Sequence, residues 1–135
     1  MAQKILTIAV GVEENEDYFP DDHFGESKKF LLHQFDIASH QISLQKRIPN
    51  TSPKERMHGD PDKARRVASS IGDVDCILGH AIGKNVLRMR KKYVIILSPS
   101  LDVKTALSHL PNYIEKILEE KAKSGDSRKI VHLKD

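Results

Sequence analysis

Three histidines stand in polar or glycine-bracketed segments between apolar runs: His23, His58 and His80. Imidazole nitrogens suit iron, zinc, copper and nickel, so these residues are candidate metal ligands. His80 lies in Gly79-His80-Ala81-Ile82-Gly83, a turn that runs into Lys84 and a predicted helix. Free backbone N–H groups at a helix start favour phosphate, carboxylate or an anionic cluster, and Lys84 adds positive charge. Gly79, Gly83 and Lys84 are therefore candidate contacts to such a group. The G-x-x-x-G spacing matches no phosphate-loop or dinucleotide fingerprint, and its plainer reading is a turn that lets the helix pack closely. An imidazole on a loop also has a plainer use, in holding backbone carbonyls.

The machinery of covalent catalysis is missing from the sequence. It contains no G-x-S-x-G elbow, no C-x-x-C and no H-E-x-x-H. The single cysteine, Cys76, sits within an apolar run and reads as a small core residue. One cysteine cannot make an internal disulfide, and it cannot supply an all-thiolate cluster. The chain reads as a binding protein, not an enzyme.

These residues must be positioned by the elements around them. Residues 4–12 are apolar and β-branched, the pattern of a strand buried on both faces. An acidic loop, 13–22, follows. Strands at 29–37 and 41–48 are joined by three residues, which predicts an antiparallel hairpin. After a polar loop, Asp60 can cap a helix with Pro61 in its first position, an apolar face of Ala64, Val67, Ala68 and Ile71, and Gly72 at its end. A short strand at 74–78, a helix over 84–92 and a strand at 93–97 come next. Asp102 can cap a last long helix whose buried face runs from Val103 to Leu118, and Pro111 must kink or divide it. Residues 1–120 read as one domain and 121–135 as a polar C-terminal tail, in which Ile130, Val131 and Leu133 could add a short strand or fray.

Strand and helix order predicts an α/β fold: a five-stranded mixed sheet in the order 3-2-1-4-5 with helices packed on it. The loops after strands one, three, four and five then share the top edge, where the chain changes direction across the sheet. Crevices at such switch points are the usual ligand sites of open α/β sheets. Of seven histidines, this edge receives His23, His58 and His80. The strand order resembles ribonuclease H, but residues 4–12 hold no carboxylate for two-metal chemistry.

Composition narrows the partners. With 39% hydrophobic and 30% charged residues the chain fits a soluble globular protein. No apolar run approaches the roughly 20 residues of a membrane span, and the start of the chain does not read as a signal peptide. A cytoplasmic protein without a membrane partner is expected. The net charge of +3 is mild, and Arg88-Met89-Arg90-Lys91-Lys92 falls at the end of a predicted helix, where the dipole favours cations. Tryptophan is absent and aromatics are few, so nucleic acid is not expected as a ligand.

Finally, His23-Phe24-Gly25-Glu26-Ser27 with Phe30 resembles the H-F-G-x-[AS]-x-x-F signature of the dinitrogenase iron–molybdenum cofactor biosynthesis family, which includes NifX, NafY-type proteins and the C-terminal part of some NifB proteins. Ile8-Ala9-Val10 precedes it, and His58-Gly59, Val74-Asp75, Gly79 with Ile82-Gly83-Lys84-Asn85 (similar to a G-x-I-G-x-N turn) and Val103 with Ala106 follow in order. The resemblance spans roughly residues 4–118. The 79–83 turn is one residue longer than the usual pattern, and Lys54-Glu55-Arg56-Met57 stands where many members are glycine-rich. The resemblance implies a ribonuclease H-like fold and a non-enzymatic carrier of an iron–sulfur or iron–molybdenum-type cluster, or of a transition-metal ion. It also implies donor or acceptor proteins for that cargo. A metal-free module binding a small anion or nucleotide, or a protein–protein adaptor, are the alternatives that the same edge allows.

Overall fold

The computed structural model describes residues 4–52 and 61–134. The strands are β1 (Ile5–Val12), β2 (Lys29–Asp36), β3 (Ile42–Pro49), β4 (Cys76–Gly79), β5 (Val94–Leu97) and β6 (Val131–His132). The helices are α1 (Pro61–Ile71), α2 (Val86–Met89), α3 (Val103–His109) and α4 (Ile114–Ala122). The strands form one sheet in the order β3-β2-β1-β4-β5-β6. β1, β2 and β3 pair antiparallel, and β1, β4, β5 and β6 are parallel to one another. The expected order 3-2-1-4-5 is present, with one further strand beside β5.

Side chains alternate across each strand, so the sheet has two apolar faces. Leu6, Ile8, Val10 and Val12 of β1 join Leu78 and Ile96 under Val103, Leu110 and Ile117 of the α3–α4 layer. Ala9, Ile77 and Ile95 point the other way, toward Val67 and Ile71 of α1, with Met89 and Tyr93. Burial of the central strands on both sides explains why they read as near-continuous apolar runs. Thr7 and Asp75 join β1 to the start of β4 at the bottom edge. The Thr7 hydroxyl donates to Asp75 Oδ2 at 3.1 Å and accepts the Asp75 N–H at 2.9 Å, while Lys121 of α4 pairs with the same carboxylate.

The helices end where their chemistry requires. Asp102 caps α3 by accepting the Thr105 N–H. Pro111 divides the last helix: α3 gives way to a 3-10 turn at Leu110–Tyr113, and α4 follows. Asp60, expected as the α1 cap, lies outside the described residues, and Pro61 opens the helix as expected. The helix expected over 84–92 is shorter: a 3-10 turn at Gly83–Asn85 leads into α2, and the N–H groups of Lys92 and Tyr93 both close on the Met89 carbonyl.

After Lys121 the C-terminal segment returns to the sheet, forming the short strand that Ile130, Val131 and Leu133 allow. It is more than a polar tail: Val131 pairs with Ile96, and both Val131 and Leu133 are buried. Without β6, β5 would present an open row of N–H and C=O groups. Arg128 locks the return by donating to the carbonyls of Glu120, Arg90 and Lys121. Glu120, itself buried, accepts the Lys129 N–H and pairs with Lys123. Burial alone would raise the Glu120 carboxyl; these two partners prevail and hold it below its ordinary value. Among the described residues, no helix is long and apolar enough to cross a membrane.

Candidate functional site

The parallel strands all end at the top edge, where β2 begins. There the chain from Val12 descends into a 3-10 turn at Phe24–Glu26. This turn is clamped to the sheet. His23 forms a parallel bridge with Ala81, and the Phe24 N–H donates to the Ala81 carbonyl at 2.8 Å. The Phe24 ring lies across two glycines: a Cβ on Gly79 would stand 3.2 Å from Phe24 Cδ2, and one on Gly11 would stand 2.9 Å from the same atom. Phe30 packs beside it, with ring centroids 5.1 Å apart. Ser27 closes the turn by donating to the Phe24 carbonyl. Asn50, just past β3, donates from one amide nitrogen to the carbonyls of Gly25 and Ser27, at 2.8 and 2.7 Å.

Of the two described candidate histidines, His80 belongs to the 79–83 turn and His23 packs against it. The His23 ring lies against Gly83, whose φ of +71° favours glycine and whose missing Cβ would come within 2.5 Å of His23 Nδ1. His80 is half-buried, with Nδ1 2.9 Å from the Ser98 carbonyl. A carbonyl can only accept, so Nδ1 carries the proton and Nε2 holds the lone pair of the neutral ring. His58 lies outside the described residues.

Between the 23–26 turn, α1 and α2 is a narrow cleft lined by His23, Glu26, Lys63, Ile82, Lys84 and Met89. It encloses about 20 Å³, room for roughly one water, and measures about 370 Å³ with its open mouth included. Lys84 is exposed at its border. Lys63 is buried, with Nζ 3.1 Å from Glu26 Oε1. The structure thus brings His23 and Lys84 to one cleft, with Gly83 packed against the His23 ring. His80 does not line it but turns toward Ser98, and Gly79 serves as the seat of Phe24. Because α2 has four residues and follows a 3-10 turn, few peptide dipoles align behind Gly83. Among the described residues, no group of three or more His, Cys, Asp or Glu side chains is placed to hold a metal ion.

Sequence reasoning missed Lys63 and Asn50. Lys63 had a signal: with Val67 and Ile71 it falls at i, i+4, i+8, on the apolar face of α1, where a lysine must find an anion. Asn50 had none, because its partners are carbonyls more than twenty residues earlier. Cys76 is core, as expected, and its thiol is pushed far up, first by burial and then by the Asp75 charge. His33, buried on β2 with Nδ1 3.3 Å from the Leu31 carbonyl, is held below the ordinary histidine value by burial, which that bond partly offsets.

The family model described as "Dinitrogenase iron-molybdenum cofactor" matches residues 6–110. That span contains the 23–27 turn, Asn50, α1 and the 79–83 turn, and leaves α4 and β6 outside. Comparison with curated proteins and with solved structures gives no match.

Proposed function

Because the chain belongs to the dinitrogenase iron–molybdenum cofactor family, whose members are non-catalytic, we propose that it carries a metal cluster, or a metal ion, as exchangeable cargo on the top edge of the sheet. Membership supports a carrier-type role in association with metal clusters and with partners of cluster biosynthesis. The finer assignment is ours: His23 and His80 are the ligands, His58 is the third candidate, and Lys84 offsets the charge of an anionic cluster. Gly83 contributes by giving the His23 ring its place.

The observation that carries this reading is that one turn, 79–83, bears one imidazole and seats another. The Ser98 carbonyl fixes the tautomer that leaves His80 Nε2 basic, the arrangement of histidine ligands in metal sites generally. Two or three imidazoles without thiolate bind an iron cluster weakly, which suits a protein that passes its cargo on.

The test is anaerobic reconstitution of the tag-free chain with iron and sulfide, read as bound iron per chain and as visible absorption. His23→Ala and His80→Ala should each lower loading sharply while circular dichroism stays unchanged. Wild-type loading in the double variant would overturn the assignment. A metal-free use of the same edge is favoured only by the exposed Lys84 at the cleft border. It would appear as thermal stabilisation by phosphate ligands that a chelator leaves unchanged.

A further inference from the structure

Arg88, Lys91 and Lys92 of the basic run take no part in the site above, yet the run borders a second concavity. Between α1 and α2 lies a groove of about 150 Å³ with Ala64, Ala68, Met89 and Tyr93 as its apolar floor. Its rim carries Arg65, Arg88 and Lys92, all exposed. Arg66 and Lys91, their neighbours in sequence, are exposed as well. Among the described residues, Asp62 pairs with Arg65, Asp73 pairs with Lys92 at 3.2 Å, and Arg88 donates to the Asn85 amide oxygen. Both ion pairs are open to water, with Arg65 72% and Asp73 96% exposed, and such pairs are weak and readily exchanged.

We infer that this groove docks an acidic segment of a partner protein that inserts one apolar side chain between α1 and α2. The floor has the size and character of an aliphatic pocket, and the rim supplies cations on the α1 and α2 sides. Charge complementarity of this kind steers encounter and selects partners. Nucleic acid fits less well: the floor offers no exposed stacking surface, since Tyr93 is fully buried and its hydroxyl donates to the Gly72 carbonyl. Ala64 and Met89 line both the groove and the cleft beside His23, so a docked partner would lie next to the top-edge site. The inference does not rest on the metal reading. One shallow groove implies a weak, transient contact.

The probe is a fluorescein-labelled amphipathic peptide with one leucine stripe on a glutamate background, titrated with the full chain by fluorescence anisotropy. Binding tighter than about 1 mM is expected at low salt, and it should be lost near 0.5 M salt. Arg65→Glu with Arg88→Glu should weaken it at least about tenfold. Ala68→Gln, which fills the floor without changing charge, should weaken it as well; this second variant keeps the test decisive if the double reversal disturbs folding. A peptide with serine in place of leucine should bind markedly less. No peptide binding, or binding unchanged by these variants, would overturn the inference. Tighter binding of a single-stranded oligonucleotide than of the peptide would overturn it in favour of nucleic acid.

Discussion

Gly72 and Gly83 share a φ of +71° but differ in what surrounds the missing Cβ. At Gly72, where α1 ends, nothing stands within 4 Å of that position. At Gly83 the His23 ring occupies it, with Nδ1 at 2.5 Å and Cε1 at 2.7 Å. Gly72→Ala therefore measures the cost of the left-handed backbone alone, roughly 1–2 kcal/mol. Gly83→Ala carries that cost and an overpacking cost of about 1–3 kcal/mol as the new methyl displaces the imidazole. Urea denaturation of the two variants should separate them by at least about 1 kcal/mol. In a His23→Ala background the ring that the methyl meets is gone, so Gly83→Ala should fall back toward the Gly72→Ala value. The difference is the coupling between the two residues. Equal destabilisation by Gly72→Ala and Gly83→Ala, or no effect of His23→Ala on the difference, would refute the seating of His23 on Gly83 and with it the geometry of the proposed site.

Other consequences follow from single contacts. Asn50→Ala frees the Gly25 and Ser27 carbonyls, should cost about 1–3 kcal/mol in urea denaturation, and should lower iron loading by loosening the His23 turn. Cys76 should resist thiol reagents in the native chain at pH 8 and react only in denaturant, because burial disfavours its thiolate; rapid native labelling would contradict its place in the core. His33 links stability to pH. Its folded-state value is depressed, so below the unfolded value of about 6.5 the unfolded chain binds the extra proton and stability falls with pH. His33→Gln should flatten that decline between pH 7 and 5, and an unchanged slope would remove His33 as its source.

Much of the architecture is legible because the pattern and the physics coincide. The unbroken apolar runs of β1 and β4, the Asp102 cap and the break at Pro111 are local signals that the tertiary structure leaves in place. The top-edge placement of His23 and His80 follows from strand direction alone. What the sequence hides are effects of distant partners. Ile130, Val131 and Leu133 allow a strand or a frayed tail, and only the open edge of β5 decides for the two-residue β6. The buried Lys63 depends on Glu26, thirty-seven positions earlier. His80 turns from the cleft because the Ser98 carbonyl, eighteen positions later, accepts a hydrogen bond from its Nδ1–H. Neither periodicity nor spacing encodes such meetings.

The central claim is that the chain carries a metal cargo on its top edge. It is tested most directly by metal analysis of tag-free protein purified without air, with an absorption spectrum from about 300 to 700 nm, where thiolate-poor iron sites still show charge-transfer bands. The account predicts iron or another transition metal in a fixed ratio to the chain, with those bands, either as purified or after reconstitution. Colourless protein that takes up neither metal nor cluster on reconstitution would contradict it.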